Sequence, residues 1–217
     1  MGTIGLNFLN IIPVLGKTFY NFFADILIDL FHICIDLFNE LENTKYREAS
    51  HIHYPNAADV KEVSIAHDPK YISRVQTNNL SRDEQRRLGL NWSQALVNRS
   101  FLALNGTLLT AEKALETGIA CHLAGGTHHA HYDFGSGFCV FNDLAYTSLS
   151  LLKKKIIDRI LIFDCDVHQG DGTARILRTF NGVFTCSIHS AKNFPYRKAK
   201  SDYDVGLEDN ISWDGYK

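Results

Sequence analysis

Asp166 and His168 stand one residue apart in DCDVHQGDG (164–172), directly after the apolar run RILIF (159–163). Carboxylate oxygen and imidazole nitrogen both bind Zn²⁺ at about 2.0–2.2 Å, and a catalytic zinc takes three protein ligands and keeps one position open for water. Two ligands so spaced can face the same way just past a strand end. Taken alone, the pair reads more readily as a polar loop at a sheet edge, with Asp166 capping the next helix. A second stretch, GGTHHAHYDFGSGFCVFND (125–143), adds adjacent imidazoles at His128 and His129 behind Gly125 and Gly126, where backbone can approach closely. Paired imidazoles suit proton transfer near neutral pH. Each needs a carboxylate on its other nitrogen, and Asp164 and Asp171 are the acids left over in the neighbouring loop. Two surface histidines are the plain alternative. A Gly-rich loop and an acidic loop at the same sheet edge favour chemistry.

These residues need elements to position them. Ser93 is an N-cap, and Leu96, Phe101, Leu104, Leu108, Ala111 and Leu115 keep helical spacing up to a stop at Gly118. IACHL (119–123) reads as a short strand. A helix is expected over about 142–154, a strand at about 159–163, a helix at about 172–180 ending at Asn181-Gly182, and a strand at 183–188. This alternation predicts an α/β fold with a parallel sheet and right-handed crossovers. The unusual loops (125–139, 164–172 and 187–195) then all follow strand C-termini, where ligands bind in open α/β sheets. Upstream, a helix is expected to begin near Pro69. SRDEQRRLGLNW (81–92) reads as a polar loop or short helix, and residues 43–60 as a connection.

The chain's 217 residues, 45% apolar and 21% charged, suffice for one sizeable domain. With 22 basic and 24 acidic residues there is no signature of nucleic-acid binding. Five scattered cysteines without a CxxC pair argue against a disulfide framework and for a reducing, intracellular and most simply cytoplasmic setting. Four of the ten histidines fall in 122–131. FYNFFADILIDLFHICIDLF (19–38) is strongly apolar, yet Asp25, Asp29, His32 and Asp36 draw one polar stripe at helical spacing. Three aspartates disfavour a membrane span, and signal-peptide features are missing. Residues 1–45 therefore read as an atypical amphipathic helical segment, and 46–217 as the α/β domain.

GGTHHAHYDFGSGFCVFND, DCDVHQGDG and FTCSIHSAKNFPYR, in this order, resemble the histone deacetylase superfamily, with wording close to its bacterial and class IV-like branch. The resemblance covers about 51–217 and is dense over 118–205. It implies the arginase/deacetylase architecture and a zinc-dependent amide hydrolase acting on acyl-lysine in a protein, or on a related small amine. It makes Asp166 and His168 two of three zinc ligands. His128 and His129 become the catalytic pair, with His129 the general base, Asp164 partnering the first histidine and Asp171 the second. Phe138 and Phe194 match the walls of the acyl-lysine tunnel and Gly137 its floor. Carbonyls of Asp164, Asp166, His168 and Ile188, with the Ser187 hydroxyl, match a structural potassium site. Cys139 matches a family cysteine, and serves equally as a small buried hydrophobe.

The chain also departs from the family. Its third zinc ligand, in a pattern like N-A-G-x-D, and its oxyanion-stabilising Tyr, in a later G-G-Y segment, have no counterpart here. Tyr196, Tyr203 and Tyr216, and Asp202, Asp204 and Asp209, stand in other contexts. Residues 1–45 do not match the family's opening strand and Tyr-His-Pro-type segment. The expectation is the N-terminal half of a deacetylase with little activity alone, since losing one oxyanion donor costs about 10²–10³ in rate. Two rivals are a non-catalytic relative that binds acyl-lysine and a polyamine-type deacetylase. A manganese ureohydrolase fits less well, because the phenylalanine walls indicate a tunnel.

Overall fold

The computed structural model describes residues 4–8, 39–40, 43 and 51–216. The amphipathic segment expected at 19–38 lies outside them. One compact unit comprises Met1–Asn10 with Pro55–Lys217, and a second comprises Ile11–Tyr54. In the second, the Asn43 backbone N–H donates to Asn39 O at 3.1 Å. No described helix is long and apolar enough to cross a membrane.

The first unit runs β1 (Ile4–Phe8), α1 (Val60–Val63), α2 (Pro69–Gln76), α3 (Arg82–Leu88), α4 (Gln94–Thr117), α5 (Asp143–Lys153), β2 (Ile160–Asp164), α6 (Asp171–Leu177), β3 (Val183–Ser190), β4 (Tyr203–Leu207) and α7 (Trp213–Tyr216). The sheet order is β1-β2-β3-β4, and every pairing is parallel. Ile160 sits opposite Val183, Asp164 opposite Ser187, and Cys186 opposite Tyr203. This is the expected α/β class, a parallel sheet with flanking helices.

Local chemistry sets the helices. Ser93 Oγ accepts from Leu96 N at 3.0 Å, and Gly118 at φ +90° ends α4. Ser81 and Glu84 form a reciprocal capping box on α3. Asp68 caps α2, with Pro69 in its first turn. The apolar stripe of α4 shares one core with Leu144, Tyr146, Leu149 and Leu151 of α5, Ile160 and Ile162 of β2, and Ile176 and Leu177 of α6. Each such side chain stabilises the fold by about 1.5–3 kcal/mol through burial.

Two sequence expectations are corrected. Residues 119–123 form no strand: Ile119 is 78% exposed and Cys121 is exposed. A short apolar run needs a sheet neighbour, and here it crosses the surface while His122 turns to Thr107 (Thr107 Oγ1 to His122 Nδ1, 2.8 Å). The histidine pair therefore lies on the α4–α5 connection and not at a strand end. β1 falls within residues 1–45, read from sequence as a helical segment, and no strand was expected at β4. The latter is masked by its acidic flanks in SDYDVGLEDN.

Candidate functional site

Asp164 closes β2, residues 165–170 lead from it into α6, and Asp171 opens that helix. The α4–α5 connection is brought over both acids by a buried network. Asn142 caps α5 through Ala145 N at 2.9 Å. Its Nδ2 reaches His128 O at 3.3 Å, Ala130 O at 3.0 Å and Thr173 Oγ1 at 3.0 Å. Asp143, fully buried, accepts from Gly126 N and Thr127 N, each at 2.8 Å, and from the hydroxyls of Thr127 at 2.7 Å and Thr107 at 2.5 Å. His67, also fully buried, accepts the Asn142 N–H on Nε2 at 2.9 Å, so its Nδ1–H donates to His131 O at 2.9 Å. Asn142 was expected only as the start of a helix, and Asp143 and His67 were not singled out from sequence. Their partners lie up to 75 residues away, and no local spacing encodes that.

Two histidine–carboxylate pairs result. His128 Nδ1 lies 2.7 Å from Asp164 Oδ2, and His129 Nδ1 lies 2.8 Å from Asp171 Oδ1. The two rings are 4.1 Å apart. Neither Nε2 makes a hydrogen bond among the described residues. Close approach demands glycine around them. A Cβ on Gly170 would stand 2.4 Å from Asp164 Oδ2, and one on Gly137 (φ +53°) 2.6 Å from the His129 ring.

The electrostatics separate the pair. Burial lowers the His128 pKa, but the Asp164 hydrogen bond and the charges of Asp164, Asp166 and Asp171 outweigh it and raise the net value. For His129 burial again lowers it, and the neighbouring His128 and His168 help keep it low despite Asp171. Burial raises the Asp171 carboxyl, but hydrogen bonds from His129 and His131 bring it well below the usual range.

Asp166 and His168 face each other, with Oδ1 to Nδ1 at 3.1 Å, and the His168 N–H donates to the same Oδ1 at 2.8 Å. Two ligands on one tetrahedral zinc stand about 3.3 Å apart, given bonds of about 2.0–2.1 Å, so the pair fits two coordination positions in type and spacing. Burial raises the Asp166 carboxyl, yet the His168 ring, the charge of His128 and the His168 N–H bring it down to about 2. No third His, Cys, Asp or Glu joins them among the described residues. Phe194 stands edge-on to His129, with centroids 4.8 Å apart at 84°, and 6.1 Å from His168. Phe138 (φ +64°) is held by its N–H to Leu88 O at 2.9 Å, packs against Gly89, and stays 38% exposed. Ser187 is buried in β3 with Oγ 3.0 Å from His189 Nδ1, and Ile188 follows it. Cys139 is buried, and desolvation pushes its thiol up to about 12, which makes it a packing residue.

A sequence model described as the histone deacetylase domain matches residues 34–214. The chain belongs to the histone deacetylase family. Over 165 residues it is 46% identical to an uncharacterized protein of Picosynechococcus sp., covering 76% of this chain and 55% of that protein. Over 192 residues it is 32% identical to the acetoin utilization protein AcuC of Staphylococcus aureus, covering 81% and 49%. A crystal structure of an HDAC homolog complexed with SAHA superposes with TM-score 0.59 at 25% identity, over 71% of this chain and 46% of that one. The HDAC homolog from Aquifex aeolicus gives TM-score 0.59 at 24% identity, over 71% and 47%, and speaks to the fold alone. This deacetylase-family chain spans about half the length of the curated relatives it matches.

Proposed function

We propose that this chain carries the proton-transfer half of a deacetylase-type amide hydrolase acting on acyl-lysine or a related acylated amine. The observation that carries the reading is the double pairing: two imidazoles 4.1 Å apart, each with Nδ1 on its own carboxylate. His129, held by Asp171, keeps a bare Nε2 that accepts a proton from the attacking water. His128, held by Asp164 among three carboxylates, keeps a proton at Nε2 for the departing amine. Phe194, and Phe138 on the far side of the glycine turn, offer apolar faces to an extended acyl-lysine stem. Asp166 and His168 would hold two positions of a zinc ion, and its chemistry, when bound, is carbonyl polarisation and a lowered pKa for water. Carbonyls of Asp164, Asp166, His168 and Ile188 with the Ser187 hydroxyl would suit a potassium ion.

The test joins zinc binding to turnover on the purified chain. We expect weak zinc binding lost in His168→Ala, and slow hydrolysis of an acetyl-lysine peptide lost in His129→Ala. Zinc uptake unchanged by His168→Ala, or turnover unchanged by His129→Ala, would overturn the reading. Zinc-dependent capture of the peptide without cleavage would support the binding-protein alternative.

A further inference from the structure

Asp171 has a second imidazole partner that the proposed chemistry leaves unused. His131 Nε2 lies 3.1 Å from Asp171 Oδ2, on the oxygen opposite the one that takes His129. His131 is buried and fixed from several sides. Its ring stacks on Phe134 at 4.3 Å and 25°, and the Arg87 guanidinium covers Phe134 at 4.3 Å. Its N–H donates to Phe134 O at 2.9 Å, and its carbonyl accepts from His67 at 2.9 Å. We propose that His131 is a positioning residue for the His129 ring, clamping Asp171 so that its other oxygen alone faces His129 Nδ1. A carboxylate with one partner can rotate about its Cβ–Cγ bond and let the imidazole follow it. One gripped at both oxygens cannot, and the His129 proton then stays on Nδ1 with Nε2 bare. The inference rests on the reading of His129 as general base, but its geometry does not depend on turnover.

The test is tautomer detection by long-range ¹H–¹⁵N correlation on the labelled full chain at alkaline pH. In the wild type, His131 should carry its proton on Nε2 and His129 on Nδ1, each as a single pattern. His131→Phe keeps the stack on Phe134 but removes the donor, and should give a mixture of both tautomers at His129. His131→Gln restores an N–H donor and should recover the single pattern. A wild-type His131 protonated on Nδ1 would overturn the proposal, and so would a His131→Phe protein whose His129 signals match wild type. The wild-type measurement decides even if a variant fails to fold. A wild-type chain with the expected tautomers and no hydrolysis would refute the catalytic reading and leave the clamp standing.

Discussion

Single residues carry the largest local consequences here. His67 has no solvent contact, and burial holds its pKa at about 4 against an ordinary value of 6.5. Between those values the unfolded chain binds one more proton than the folded chain, so stability rises with pH across this window. The contribution is complete above about pH 6.5, falls as pH drops toward 4, and changes no further below, for a total of about 3 kcal/mol. Urea midpoints measured across the window should show this slope, and His67→Gln should flatten it; an unchanged slope would assign the acid sensitivity to other groups. Gly137 makes a sharper steric case. At φ +53° with a Cβ 2.6 Å from the His129 ring, Gly137→Ala should cost about 1–3 kcal/mol and displace that ring. Chemical denaturation measures the first effect and His129 chemical shifts the second; a shift map equal to wild type would rule out the close approach. At this scale the residues offered Asp164 and Asp171 only as the acids left for the histidines, and the family resemblance alone assigned the pairings His128–Asp164 and His129–Asp171. His131, His67 and Asp143 were not legible, since their importance comes from contacts made across the fold.

Two elements became legible through their caps. Ser93 with Gly118, and Asn142 ahead of an apolar stripe, fix α4 and α5 within a residue or two. The run 119–123 misled because its apolar residues resemble a strand while its neighbours in space supply no ladder, and β4 hid because its face is half polar. Asn142 shows how a cap can serve two elements at once. Its Oδ1 starts α5, while its Nδ2 holds the carbonyls of His128 and Ala130. Asn142→Ala removes the cap and strands buried acceptors, with an expected loss of about 2–3 kcal/mol. Asn142→Asp keeps the acceptor but not the donor, so it should restore α5 and still loosen the histidine loop. Hydrogen exchange can read the two separately: protection of Ala145 N–H should return in the aspartate variant, while that of Thr173 N–H, which donates to His128 O at 3.0 Å, should not. Equal recovery of both would mean that cap and loop are one unit.

At the scale of the whole domain, backbone and amide groups join the site to the sheet. Gln169, 1% exposed, donates from Nε2 to Ala199 O at 3.1 Å and Asp204 Oδ1 at 2.8 Å, and accepts from Ala199 N at 2.7 Å. It thereby ties the loop carrying Asp166 and His168 to the approach to β4. Asp164 Oδ1 accepts from Asp166 N at 3.0 Å, which shapes the same loop from the β2 side. A site organised this way should hold its form with or without zinc. Chelation should therefore move the melting temperature by less than the about 2–4 °C that 1 kcal/mol represents at this chain length. Gln169→Leu fills the space but leaves Ala199 and Asp204 without their buried partner, at about 2–3 kcal/mol. That corresponds to a fall of about 4–12 °C. Calorimetry with and without chelator, on both proteins, sets the two contributions side by side. A chelator effect as large as that of Gln169→Leu would make the metal a folding element, and the loop would then owe its form to coordination and not to the glutamine.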